Sequence, residues 1–211
     1  MSEEKRYGNL IIISGPSGAG KSAVAEYALR TLGDIQFSIS HTTRAPRGGE
    51  RDGVEYFFTD REKFESLAAA GEFLEWAEVH GNYYGTSRGF VDGFLRQEND
   101  VILDIDVQGA RSVKKARPDA IAIFVMPPSF DILRERLMRR RLDEADVIEK
   151  RLKIAREEIT HFTEYDYLII NDDLENAERK LVSIIVGARC RIDTRSGAAA
   201  SILKHFGGID V

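Results

Sequence analysis

Eight consecutive residues, Gly15, Pro16, Ser17, Gly18, Ala19, Gly20, Lys21 and Ser22, read GPSGAGKS and fit the spacing GxxxxGK[ST]. That spacing suits a phosphate. Glycines let consecutive backbone N–H groups turn inward around an anion, and a helix starting at the end of the loop directs its positive terminus at the same point. Lys21 adds a mobile charge for the β and γ phosphates of a nucleoside triphosphate, and Ser22 a hydroxyl for Mg²⁺. A Gly-rich turn that merely joins strand to helix is the plain alternative. The apolar run Leu10 to Ile13 before it, and the helical stretch Ala23 to Thr31 after it with Gly33 as a stop, supply the strand and helix that the phosphate reading requires.

Three other groups carry charge in patterns that suit the same chemistry. Asp104 and Asp106 close an apolar run, Val101 to Ile105, in the segment LDIDVQG, and strand periodicity puts both carboxylates on one face. An acid at the carboxyl end of a parallel strand is where proteins with this loop hold Mg²⁺, often through water; a pair that only caps the following helix is the plainer reading. In SHTTRAPRGGERDGVEYFF, Arg44, Arg47 and Arg51 stand with Glu50 and Asp52. Pro46 and two glycines tighten that turn and bring guanidinium forks together for a phosphate, whereas a solvated, self-paired surface is the usual fate of a charge run. Arg134, Arg136, Arg139, Arg140 and Arg141 follow an expected N-cap, Ser129, and after the acidic break LDEADVIE a second helix opens with Lys150 and Arg151. Two arginine-bearing helices joined by a hinge read as a lid that folds over an anion and sheds water from it.

The elements that must hold these groups follow from hydrophobic patterning. Strands beginning near 10, 35, 101, 120 and 166, each followed by a helix or an insertion, describe an α/β fold: a parallel five-stranded sheet with helices on both faces and a site at the strands' carboxyl ends. Residues 41–97 form a mixed insertion. In it Val54 to Phe58 reads as a strand, and Thr59 to Gly71 as a helix with a Thr59/Glu62 capping box. Phe73 to Val79 reads as an alternating strand that would expose Glu75, HGNYYGTS as a tight turn, and Ser87 as the N-cap of a helix to about Gln97. After a helix ending near Pro118 and the run Ala120 to Met126, the last strand, Asp166 to Ile170, leads through Asn171, Asp172 and Asp173 to a helix from Leu174 to about Ile192.

Composition removes several classes. A net charge of −5 over 211 residues argues against a general nucleic-acid binder, and no apolar run approaches the length of a membrane span. The single cysteine, Cys190, has no partner for an intramolecular disulfide, and the segment MSEEKRYGN lacks the features of a signal or transit peptide, so a soluble cytoplasmic protein is expected. The four histidines are scattered without metal-ligand spacing.

GPSGAGKS, SHTTRAPRGGERDGVEYFF, FLEWAEVHGNYYGTS, LDIDVQGA and NDD, in this order and spacing, resemble the bacterial guanylate kinases from about residue 8 to about residue 192. The resemblance implies a Mg²⁺-dependent, reversible phosphoryl transfer from ATP to GMP, with dGMP a second acceptor, in purine nucleotide metabolism. It implies a P-loop core of residues 1–40, 98–135 and 166–211, a GMP-binding insertion of 41–97 and a helical lid of 136–165. Ser40, Glu75, Thr86, Asp104 and Asp106 would face the guanine or its surroundings; Arg44, Arg47, Tyr56 and Tyr84 would hold the GMP phosphate. The loop 15–22 would hold ATP, with Ser22 and Asp104 toward Mg²⁺. Arg136, Arg140 and Arg151 would close with Lys21 on the transferring phosphoryl, and Asn171 would touch the adenine side. The partners would be the small molecules ATP and GMP, with neither nucleic acid nor membrane, and either a monomer or a homo-oligomer is compatible. Two departures stand out: the lid motif RLxGRG is RLMRRR here, and the loop ends GKSA rather than GKST. A ribose bisphosphate kinase of the same superfamily and a peptide-binding guanylate-kinase-like domain are the competing readings. Glu75, Tyr84 and Thr86 speak against the first, and the intact loop and lid arginines against the second.

Overall fold

The structure is a computed structural model and describes residues 7–79, 81–139, 145–191, 202–203 and 205–206. In chain order its elements are β1 (Leu10–Ser14), α1 (Lys21–Thr31), β2 (Ile35–Phe37), β3 (His41–Thr42), β4 (Phe57–Phe58), α2 (Arg61–Ala69), β5 (Phe73–Val79), β6 (Asn82–Ser87) and α3 (Arg88–Arg96). Then come β7 (Asp100–Asp104), α4 (Val107–Ala116), β8 (Ile121–Met126), α5 (Phe130–Arg139), α6 (Ala145–Glu158), a 3₁₀ turn (Ile159–Glu164), β9 (Tyr167–Ile170) and α7 (Leu174–Ala188).

The runs LIII, VIL and IAIFV are apolar without alternation because both of their faces are covered. They become the centre of a five-stranded, all-parallel sheet in the order β2-β7-β1-β8-β9. Ile11, Ile13, Ile102 and Ile123 pack toward α1 and α7 on one face, while Leu10, Ile12, Val101 and Leu103 pack toward α3 and α4 on the other. β1, β7 and β8 therefore end side by side, with Ile13 paired to both Asp104 and Ile123. The loop after β1 and the acid closing β7 are neighbours through register alone.

At the opposite end of this sheet lies a buried polar staple. Asp100, fully buried, accepts from the Asn9 backbone N–H at 2.7 Å, from Asn9 Nδ2 at 2.9 Å and from Arg189 Nε at 2.6 Å. Arg189 also donates to the Gly33 carbonyl at 2.8 Å, so the end of α7 is tied to the β2 and β7 edge. Removing one partner of such a cluster strands the others without solvent. Asp100→Ala should therefore cost about 3 kcal/mol of unfolding free energy, on the scale of a broken buried ion pair. A urea-denaturation midpoint unchanged from the parent would show that the staple contributes nothing.

The insertion is a four-stranded sheet in the order β4-β3-β6-β5, with α2 packed beside it. Here the expectations from sequence need revision. HGNYYGTS is mostly strand: Asn82–Ser87 forms β6, antiparallel to β5, with Tyr84 opposite Ala77 and Tyr83 opposite Glu78. The cap of α2 is Asp60, whose carboxylate accepts from the Lys63 N–H at 2.7 Å; Thr59 lies between β4 and that cap, its N–H donating to the Thr42 carbonyl. The strand expected over Val54 to Phe58 shortens to Phe57–Phe58. β5 contains a bulge at Leu74: Phe73 faces Ser87 and Glu75 faces Thr86, so two residues of β5 advance against one of β6. The inward/outward alternation shifts there. Phe73, Leu74 and Glu75 are all buried, while Trp76 stands 49% exposed between the rings of Tyr83 and Phe64.

α5 and α6 form a helical pair with its own small core of Leu133, Leu137, Leu152 and Ala155. The helix expected to open at Lys150 begins earlier, at Ala145, is α-helical to Glu158 and continues as the 3₁₀ turn.

Candidate active site

Gly15 and Gly20 shape the loop for separate reasons. At Gly15 φ is 138°, and a Cβ there would lie 2.1 Å from the Val125 carbonyl oxygen of β8. At Gly20 φ is 97°, and a Cβ would lie 2.2 Å from Asn171 Nδ2. Only glycine takes that backbone at that proximity. Asn171, 2% exposed at the end of β9, donates from Nδ2 to the Ala19 carbonyl at 2.7 Å, bracing the loop from behind. Lys21 opens α1 and donates to the Gly15 carbonyl at 2.8 Å; its Nζ is 3.7 Å from Asp104 Oδ1. Burial pushes the Asp104 carboxyl up, and Lys21 opposes that rise.

The helices α5 and α6 reach the same loop. Arg136 on α5 donates to the carbonyls of Asn171 at 3.0 Å and Ala19 at 3.4 Å, and Arg151 on α6 donates to Ser17 Oγ at 2.7 Å. Arg140 lies outside the described residues. A cavity of about 500 Å³ lies between the loop and the insertion, with Gly15, Ser17, Lys21, Asp104, Asp106 and Arg151 on one side and Arg47, Tyr56, Asn82 and Tyr84 on the other. It joins a smaller cavity of about 160 Å³, lined by Ser40, Tyr56, Glu75, Ala77, Tyr84, Asp104 and Asp106 among others.

Glu75 stands on the wall of that smaller cavity. It is 7% exposed, and its Oε1 accepts from the Thr86 hydroxyl at 2.6 Å. Burial, with the nearby Asp106 adding to it and Thr86 opposing it, pushes its carboxyl up to about 7. Thr86 is itself fully buried beneath Glu75, with its hydroxyl proton committed to the carboxylate. It is absent from the walls of both cavities and touches them only through Glu75.

The remaining expected residues divide. Ser40, Arg47, Tyr56, Tyr84, Asp104 and Asp106 line one or both cavities. Asp106 also caps α4, accepting from the Gly109 N–H at 2.8 Å, so the helix-capping reading is right for this residue alongside its place on the cavity wall. Arg44 is paired to Glu50 at 2.9 Å and stands over the Tyr56 ring at 5.2 Å, so part of the charge run is self-paired as charge runs usually are. Its pairing holds it beside the Tyr56 and Tyr84 wall. Ser22 is exposed at the start of α1. Among the described residues, no three His, Cys, Asp or Glu side chains gather as a ready-made metal cage.

Some lining groups escaped the sequence reading, Glu158 among them. Glu158, at the end of α6, faces the larger cavity, and burial pushes its carboxyl up against the pull of Lys21. The available signal was helical spacing, because Glu158 follows Arg151 by seven residues and shares its face with Ile154.

Compared with known proteins, residues 7–188 match the family model described as guanylate kinase. The chain is 45% identical over 199 residues to a guanylate kinase of Legionella pneumophila (strain Lens), covering 94% of this chain and 95% of that one. It is 50% identical over 188 residues to one of Hahella chejuensis, covering 89% and 90%. The crystal structure of guanylate kinase from Anaplasma phagocytophilum superposes with a TM-score of 0.80 at 34% identity, covering 98% of this chain and 99% of that one.

Proposed function

The chain belongs to the guanylate kinase family, and we propose on that premise that it transfers the γ-phosphoryl group of ATP reversibly to GMP, giving ADP and GDP. One observation carries the acceptor's identity: a buried carboxylate, Glu75, fixed by Thr86 on the wall of a cavity that opens toward the phosphate loop. Guanine presents N1–H and N2–H₂ side by side, and an ionised carboxylate is acceptor-only with two oxygens. dGMP, which has the same base, is a second acceptor.

A GMP phosphate oxygen attacks the γ phosphorus of ATP as the bond to the β-phosphate oxygen breaks, so alignment and charge do most of the work. The loop 15–22 holds the ATP phosphates through its backbone N–H groups. Lys21 leaves the Gly15 carbonyl for the β and γ oxygens, and Arg151 and Arg136 exchange their present partners, Ser17 Oγ and the loop carbonyls, for phosphate oxygens. Arg47, with Arg44, Tyr56 and Tyr84, holds the GMP phosphate across the larger cavity. Ser40 and the acids of the LDID segment surround the base, and Asn171 braces the loop on the adenine side.

Ser22 and Asp104 are hard oxygen donors at the loop, a donor set that suits Mg²⁺, an ion that keeps several waters and takes its other ligands from nucleotide phosphates. When bound it neutralises charge on the β and γ oxygens. The core, insertion and lid correspond in this reading to residues 1–40 with 98–135 and 166–211, to 41–97, and to 136–165. Among the described residues no helix is long and apolar enough to cross a membrane. The net charge of −5 favours no nucleic-acid partner, and the assigned place is the cytoplasm, in purine nucleotide metabolism.

The test is a screen of acceptors with ATP and Mg²⁺: GMP, dGMP, AMP, CMP, UMP and ribose bisphosphate. Transfer should be confined to GMP and dGMP. Turnover with ribose bisphosphate, or none with any acceptor, would overturn the proposal in favour of a related sugar-phosphate kinase or a binding domain.

A further inference from the structure

Gly109 stands in the first turn of α4, and its backbone has no need of glycine: its φ lies outside the left-handed region in which Gly15, Gly18 and Gly20 sit. A glycine inside a helix is less favourable than alanine, so ordinary helical geometry leaves its presence unexplained. Its surroundings supply a reason. A Cβ at this position would stand 2.9 Å from Glu75 Oε2, 3.3 Å from Asp106 Oδ1 and 3.3 Å from Ile105 Cβ. The helical glycines Gly93 and Gly187, by contrast, face open space.

We propose that Gly109 is a specificity-determining position, whose missing side chain lets the Glu75 carboxylate lie against α4 with Oε2 in the place where the base is read. The inference rests on Glu75 being the guanine acceptor. Thr86 fixes one end of that carboxylate through Oε1, and Gly109 leaves room for the other. Ordinary van der Waals contact begins at 3.4 Å, so a methyl group at 109 requires Oε2 to give way by about half an ångström. The one atom closer than 3.0 Å ends a flexible side chain, while Asp106 Oδ1 and Ile105 Cβ, both at 3.3 Å, need give by only about 0.1 Å to reach ordinary contact, so the fold persists. The cost falls on recognition: a displaced Oε2 stretches its bond to guanine and strains the one that Oε1 makes to Thr86.

Gly109→Ala should lower kcat/KM for GMP by about tenfold or more, within the roughly hundredfold scale of an ångström-sized misplacement. KM for ATP should stay near the parental value, and the melting temperature should be unchanged or raised, since alanine is the better helix former. The decisive comparison is a cycle with Glu75→Ala. With no carboxylate left to displace, adding Gly109→Ala to Glu75→Ala should change kcat/KM for GMP by less than about twofold, a non-additivity that coupled neighbours show. If Glu75→Ala lowers kcat/KM for GMP and Gly109→Ala alone does not, the role of Gly109 is refuted while the base reading stands. Equal, additive losses in both backgrounds, or a lowered melting temperature in Gly109→Ala, would assign the glycine to packing and overturn the proposal. A parental GMP to AMP preference in Glu75→Ala would overturn the base reading itself, and the inference with it.

Discussion

Lys21→Ala should lose more than about a hundredfold in kcat while keeping the parental melting profile, the scale for removing one preorganised donor from a charge-developing site. The lysine packs against no core: its ammonium donates to the Gly15 carbonyl and lies 3.7 Å from the Asp104 carboxylate, on the wall of the larger cavity. Gly15 and Asp104 both line that cavity, so cutting the side chain back opens no void in the core and the cost to folding is small. The cost to reaction is not, because the γ-phosphoryl spreads negative charge over oxygens that only fixed cations can meet without reorganisation. Single-turnover measurements with ATP and GMP, beside thermal melts of both proteins, separate the two effects. A variant with near-parental kcat and an unchanged melt would remove the loop from the chemistry.

Glu75→Gln is expected to lower kcat/KM for GMP by about a hundredfold or more and to narrow the preference for GMP over AMP. The Thr86 hydroxyl requires an acceptor 2.6 Å away, so the new amide turns its oxygen to Thr86 and its NH₂ toward the base. A donor then meets a guanine donor. pH supplies an independent check. The free protein's Glu75 carboxyl, raised by burial to about 7, contributes stability that is fully present below its unfolded value near 4.5 and is lost as pH rises through 7. Guanine's donors select the ionised form, so GMP binding below pH 7 must expel a proton. kcat/KM for GMP should therefore fall as pH drops below 7, approaching tenfold per unit, while KM for ATP does not follow it. Glu75→Gln should flatten that dependence. An unchanged ratio of GMP to AMP in the variant would return Glu75 to a carboxylate buried for structural reasons alone.

The core was legible in the sequence because its information is local. β1, β7 and β8 are covered on both faces and read as unbroken apolar runs, with ends misplaced by a residue or two, and the GPSGAGKS spacing is a property of eight neighbours. The insertion was less legible because its structure is set by pairing. Asn82–Ser87 has a turn-forming composition, yet the partner strand β5 makes it extended. Glu75 looked exposed because alternation was counted through Leu74, and the bulge that breaks the count is defined by β6, eleven residues from the acid it buries. Asp106 was a cap and a cavity wall together, since a helix N-terminus placed at a sheet's carboxyl edge does both. Arg44 pairs with Glu50 six residues on, a contact that the turn around Gly48 and Gly49 creates and that a linear count of charges does not reveal.

The bulge at Leu74 has an optical consequence. Having turned Glu75 toward the cavity, it turns the next residue outward, and that residue, Trp76, is the only tryptophan in the chain. All indole fluorescence thus originates from one half-exposed ring on the outer face of the second sheet, between Tyr83 and Phe64. The parallel core contributes none. The emission of the native protein is a label already attached to the insertion, placed by the same register shift that buries the acid, and a slip of that register by one residue would trade the indole's solvent for the cavity's interior.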